Sequence, residues 1–221
     1  MKRLVIAIDG PSGAGKGTIS RTLSETLGYR HVDTGAMYRA VGWKALHDRL
    51  ALDDEAAVAA LAERAAIVVE GGVVSIDGHD VTRAIRTPEI DRAATAVARL
   101  PRVRDVLVAR QRALGADGGV VMEGRDIGTV VFPNADLKIY LDASAEERAR
   151  RRANDPAHTG GQVGQAAVAA AIRARDTSDT TRTVSPLAPA PDAVHIDTTD
   201  MPISDVVERV LALARDRQSA L

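Results

Sequence analysis

The sequence predicts an α/β fold, a five-stranded parallel sheet flanked by helices with a small antiparallel β-meander inserted. Three observations predict it. Residues 4–8 form an apolar, β-branched run of the kind buried on both faces of a parallel sheet. The run ends at Asp9-Gly10 and leads through a glycine-rich turn into a helical periodicity that places Ile19, Leu23 and Leu27 on one face. Further along, apolar strand-like runs alternate with helical stretches, the order in which crossover helices bring parallel strands together.

Gly28 stops the first helix, and residues 29–32 read as a second short strand. A helix over about 35–50 follows, then another over 53–66 with Asp53 as its N-cap. Residues 67–85 break the pattern. The pieces IVVE, VVSI and HDVT are separated by Gly71-Gly72 and Asp77-Gly78, the signature of tight antiparallel turns. Thr87-Pro88-Glu89 supplies a cap, an N1 proline and an early acid, and Pro101 opens a further helix that Gly115 ends. Residues 120–122 and 137–141 read as buried strands, and Ser144 with Glu147 forms a capping box for a strongly basic helix. Residues 154–164 have the composition of a loose loop, with a helix over 165–175 beyond it. Pro186, Pro189 and Pro191 interrupt the chain before a last strand at 194–196. Ile203, Val206, Val207, Val210, Leu211 and Ala214 then give a closing helix its apolar face.

Composition narrows the class of protein. With 221 residues the chain suits one domain carrying smaller insertions. Its 29 basic residues against 30 acidic ones leave a net charge of −1, which offers no overall field for a nucleic acid, so any anion must be held locally. The absence of cysteine excludes a disulfide framework and a thiolate zinc site. The N-terminal apolar run is too short for a signal peptide and no later run approaches a membrane span, so a cytoplasmic protein is expected. Four of the basic residues are lysines and the other 25 are arginines. A lysine is therefore informative where it occurs.

Such a lysine stands in Gly10-Pro11-Ser12-Gly13-Ala14-Gly15-Lys16-Gly17-Thr18, between the buried strand and the first helix. Glycines let successive backbone N–H groups converge on an anion, the helix N-terminus adds partial positive charge, and Lys16 can reach the β- and γ-phosphates. This is a P-loop. The strict pattern has a hydroxyl directly after the lysine, whereas here Gly17 intervenes and Thr18 supplies it, which leaves the metal ligands unassigned. Lys-Gly-Thr is the form found in adenylate kinase and related nucleoside-monophosphate kinases. No N-K-x-D guanine-reading motif occurs, which argues against a GTP switch. The five histidines are scattered, with no metal-binding pair at helical spacing.

The segments IDGPSGAGKGT, DTGAMYRA, PRVRDVL, EGRDIGTVVFP, KIYLDASAEERARRR, RDTSDTTR and SPL resemble, in this order, those of the bacterial cytidylate kinases. The resemblance covers nearly the whole chain. It implies a P-loop kinase core over about 1–34, 101–147 and 176–221, a monophosphate-binding insertion over about 35–100, and a short mobile lid over about 148–164. It further implies transfer of the γ-phosphoryl of ATP, with Mg2+, to CMP or dCMP. A monomer without nucleic-acid or membrane partners is expected.

Residue by residue, the resemblance assigns the acceptor phosphate to Arg39, a helix position where a guanidinium can form a bidentate pair or simply be solvated. It places hydroxyls of Thr34 and Thr95 against the acceptor nucleotide and gives the cytosine to Arg104 and Asp126. Arg125 lies in a loop after a buried strand, where phosphate or base contacts are expected. Arg175, Asp179 and Arg182 share one helical side if that helix extends far enough, either as a surface ion-pair cluster or, by resemblance, on the acceptor's ribose and phosphate. Arg148, Arg151 and Arg152 match the family's ATP-covering lid, with Arg151 and Arg152 beside Lys16 in catalysis, while Arg150 matches nothing. A solvated basic face is the alternative for each. The competing enzyme reading is a P-loop kinase for another small acceptor, a different monophosphate or shikimate. A regulator that holds ATP without turnover would have no need of a second nucleotide site.

Overall fold

The computed structural model describes residues 3–155 and 164–220. Strand β1 (Val5–Asp9) runs through the P-loop into α1 (Lys16–Leu27), and β2 (Arg30–Asp33) into α2 (Thr34–His47). Helix α3 (Glu55–Arg64) precedes the antiparallel meander β3 (Ile67–Glu70), β4 (Val73–Ile76) and β5 (His79–Asp80). Helices α4 (Pro88–Val97) and α5 (Pro101–Leu114) lead to β6 (Val120–Gly124) and β7 (Leu137–Asp142). The rest comprises α6 (Ala145–Ala153), α7 (Gln165–Thr181), β8 (Val194–Asp197) and α8 (Ile203–Ser219). The main sheet is parallel, in the order β2-β6-β1-β7-β8.

Register decides where the chemistry can sit. Asp9 pairs with Gly124 and Tyr140, and Asp33 pairs with Glu123, so the carboxyl ends of β1, β2, β6 and β7 lie level at one edge. Ligands bind at that edge in open α/β sheets. Gly10 turns the chain there at a φ of +147°, and a side chain on it would run into the Leu141 carbonyl oxygen.

Several local expectations are corrected. Asp54, not Asp53, caps α3, its Oδ1 accepting from Ala57 N at 3.0 Å. Only half of the capping box forms: Ser144 Oγ accepts from Glu147 N, but the Glu147 carboxylate turns to Arg150 and Arg151 because two guanidinium groups outbid one backbone N–H. Helix α2 ends at His47, short of 50, and α7 continues to Thr181, past the expected 175. Ile203 is 54% exposed, since it starts α8 at the rim of the phosphate cavity and misses the apolar stripe, whereas Val206, Val207, Val210, Leu211 and Ala214 are buried. Residues 127–131 form a π-helical turn that had no counterpart in the expected elements, with Val131 N bonded to Asp126 O and Phe132 N to Ile127 O.

One core packs the sheet against α1 and α8, and a second lies among α2, α3, α4, α5 and the meander. Leu107 is fully buried in that second core, one turn beyond Arg104 on α5. Leu107→Ala is expected to cost about 2–5 kcal/mol of stability, through lost transfer energy and a residual cavity. Urea denaturation checks this, and a loss below about 1 kcal/mol would contradict the packing described.

Candidate active site

The P-loop floors a cavity of about 840 Å3 at the carboxyl edge of the sheet. Ser12, Gly13, Gly15, Lys16, Gly17 and Thr18 line its base. Gly13 and Gly15 adopt φ of +82° and +89°, left-handed values that turn the loop into the N-terminus of α1. Gly10 and Ala14 support the loop from outside the cavity, with Ala14 buried. Lys16 is buried and its Nζ donates to the Pro11 carbonyl at 2.7 Å. Burial first, and then the charge of Arg125, push its pKa well below the ordinary ammonium value. Arg39, Arg86, Arg125, Arg150, Arg151, Arg152 and Arg175 face the same space, opposed by Asp33, Glu123, Glu147, Asp155 and Asp200. The cavity thus carries an excess of cations, suited to a polyphosphate.

Beside it lies a buried polar cluster. Arg104 Nη2 donates to Asp126 Oδ2, and the Arg104 guanidinium stands 5.4 Å over the Tyr38 ring. Arg182 Nη2 is 3.6 Å from Asp126 Oδ1, and Arg125 Nε donates to Asp179 Oδ2 at 2.9 Å. Arg175 and Arg182 both approach Asp179 at 4.0 Å, so the extended α7 does bring the three residues together, with Arg182 as its C-cap. Asp179 and Arg182 are buried, which removes the surface ion-pair alternative. Arg104 Nε and Arg182 Nη2 have no hydrogen-bond partner among the described residues. Buried polar atoms left in that condition favour a polar ligand.

Other expected residues lie at the margins. Thr34 is buried, donating to Glu123 O at 2.7 Å. Thr95 donates to Asp91 O and lines a second cavity, between α4 and α7. Arg148 sits behind the P-loop, bonded to Ala143 O, Ser12 O and Asp176. Arg151 faces the phosphate cavity, held by Glu147 and Thr198. Arg150 is an exposed partner of Glu147. Of the expected lid, residues 156–163 lie outside the described residues.

Sequence reasoning missed Asp9, Glu123 and Asp91. Glu123, the penultimate residue of β6, faces Gly17, and its Oε1 is 2.9 Å from His31 Nε2. A carboxylate at the end of the strand beside the P-loop was visible within the EGRD segment as a strand-end acid. Asp9 accepts from Ile127 N at 2.8 Å and Gly128 N at 2.7 Å, and so fixes the π-turn that begins beside Asp126. Burial pushes its pKa from the ordinary 3.8 to about 6, against the pull of those two N–H groups. A carboxyl raised in the folded state adds stability that is complete below pH 3.8 and is lost as pH rises through 6. The stability of the protein relative to its Asp9→Asn variant is therefore expected to fall by about 3 kcal/mol between pH 4 and 7, as denaturation at each pH will read. A flat difference would place Asp9 in a wetter environment.

A P-loop at the carboxyl edge of a parallel sheet, a cation-rich cavity over it and a second buried polar cluster define a P-loop phosphotransferase. The sequence profile of the cytidylate kinase family matches residues 6–216, and the chain belongs to that family. It is 49% identical over 219 residues to a cytidylate kinase of Desulfitobacterium hafniense (strain Y51), covering 98% of this chain and 94% of the relative. It is 48% identical over 222 residues to a cytidylate kinase of Solibacter usitatus (strain Ellin6076), with the same coverage. A gluconokinase from Sinorhizobium meliloti 1021 shares the fold at a TM-score of 0.53 and 15% identity, over 99% of this chain and 97% of that one. Among the described residues no helix is long and apolar enough to cross a membrane.

Proposed function

We propose that the protein transfers the γ-phosphoryl group of ATP to CMP or dCMP, giving ADP and CDP or dCDP. The observation that supports this most is the buried Arg104–Asp126 pair, with unused donors on Arg104 and Arg182, set beside a P-loop cavity. An acidic acceptor can take the exocyclic amine of cytosine, while a guanidinium serves its O2 and N3. On this reading residues 10–18 cradle the ATP phosphates, braced from behind by Arg148. Arg39, Arg125 and Arg175 take the acceptor's phosphate, Asp179 and Arg182 its sugar side, and Thr34 and Thr95 the nucleotide's flanks. The corresponding division of labour is a core over about 1–34, 101–147 and 176–221, an acceptor-binding insertion over about 35–100 and a lid over about 148–164. A monomer is part of this reading.

Phosphoryl transfer through a loose transition state asks chiefly for alignment and charge neutralisation, so no enzyme nucleophile is required. Lys16, Arg151 and Arg152 supply the neutralising charge. The donor set fits Mg2+: the Thr18 hydroxyl and the Glu123 carboxylate are hard oxygen ligands facing one cavity, and magnesium is held by few protein ligands plus substrate phosphates. Bound there, Mg2+ would neutralise charge on the phosphates. Turnover by a panel of acceptors with ATP and Mg2+, followed by ADP release, tests the proposal. CMP and dCMP are expected to lead, and preference for another monophosphate or for shikimate would overturn it.

A further inference from the structure

Among the described residues, Asp91, on α4, gathers three arginines from three other helices. Its Oδ1 accepts from Arg39 Nε at 3.1 Å and Nη2 at 3.0 Å, and from Arg175 Nη1 at 3.2 Å. Its Oδ2 accepts from Arg152 Nη2. Arg39 comes from α2, Arg152 from α6 and Arg175 from α7. Their side chains and that of Asp91 are all less than one-fifth exposed. Convergence of this kind on one anion is how proteins build a phosphate site, with planar guanidinium groups directed at acceptor oxygens. Here the anion at the focus belongs to the protein itself.

We propose that Asp91 is an internal competitor for the acceptor's phosphate: its carboxylate holds the arginines that an incoming phosphate must recruit. The proposal rests on the reading that places the acceptor's phosphate at Arg39 and Arg175. Each arginine keeps donors not directed at Asp91, among them Arg39 Nη1, which lies toward Gly35 at the phosphate cavity. Arg39, Arg152 and Arg175 line that cavity as well, so they face both the internal anion and an external one. The three charges repel one another in a partly desolvated space. The pKa of Arg175 is brought down to about 10 by burial and by the nearness of Arg39 and Arg125. A carboxylate at their centre relieves this repulsion and lowers the attraction for any free anion. Inorganic phosphate alone competes poorly against it. A monophosphate that also engages Arg104 and Asp126 through its base has further contacts with which to displace it. Asp91 in this sense sets a threshold: it weakens every phosphate alike, so that at a given concentration only a ligand with further contacts fills the site.

The test is binding of inorganic phosphate to the whole protein and to its Asp91→Asn variant, by calorimetry and by thermal shift, each repeated with CMP present. The variant, of the same shape but uncharged, is expected to melt lower in phosphate-free buffer. It is expected to bind phosphate at least tenfold more tightly than the native protein and to gain more Tm from it. If phosphate binds Asp91→Asn equally or more weakly, Asp91 organises the arginines without competing for them, and the proposal fails. Asp91→Ser, shorter and uncharged, guards against a folding defect in the first variant and should show the same tightening. Tight phosphate binding that CMP does not displace would leave the competitor role standing and overturn the assignment of these arginines to the acceptor. Normal CMP binding with no tightening for phosphate would do the reverse.

Discussion

Lys16→Ala is expected to lower kcat by about a hundredfold or more, the scale seen when one preorganised electrostatic donor is removed. The ammonium is held at the Pro11 carbonyl, inside the loop, with its charge disfavoured by burial and by Arg125. Phosphates entering the cavity supply the negative charge that this environment lacks. The interaction strengthens as charge develops on the migrating phosphoryl group, so its loss falls on the transition state more than on ground-state binding. Arg at this position should not rescue turnover, because a planar guanidinium cannot follow the phosphoryl group from within so narrow a loop. Steady-state kinetics on a variant whose melting shows it folded will decide. Near-normal turnover would remove the P-loop lysine from the mechanism.

Asp126→Ala is expected to raise the KM for CMP by roughly 5- to 150-fold, the equivalent of 1–3 kcal/mol for a polar group left unpaired in a desolvated site. The KM for ATP should hardly move, since Asp126 is not among the residues lining the cavity over the P-loop. Truncation also leaves Arg104 and Arg182 without their shared carboxylate, a change that can destabilise the fold itself. Asp126→Asn keeps the shape and one acceptor while losing the charge, so the pair of variants separates base reading from folding. Parallel losses for both nucleotides would assign Asp126 to the fold and withdraw its role in choosing the base.

Much of the scaffold was legible because its signals are local. The run at 4–8, the glycines of the P-loop, the stop at Gly28 and the cap at Thr87 each act within a few residues, and all appear as expected. The π-turn at 127–131 was not legible, since IGTVV has the β-branched character of a strand. What bends it is the Asp9 carboxylate, 118 residues away in sequence. Asp91 shows the same limitation more sharply. On its own helix it is an ordinary acid in the first turn, complementing the helix dipole. Its significance arises only when Arg39, Arg152 and Arg175 arrive from elements separated by up to 84 residues. The basic run at 148–152 was legible as charge but not as orientation: Arg148 faces backward, Arg150 lies exposed at the rim of the cavity, and Arg151 and Arg152 face inward.

Ser12, Arg152 and Arg175 belong to the walls of both cavities, the one over the P-loop and the one between α4 and α7. A partition made of two guanidinium groups is not inert. A ligand that drew those groups to one side would change the charge presented on the other, and binding on the two sides would then be linked. Linkage then requires reciprocity: whatever factor a ligand on one side imposes on affinity at the other must be returned in full. Such coupling would operate through a shift of two side chains and would need no rearrangement of the sheet or its helices.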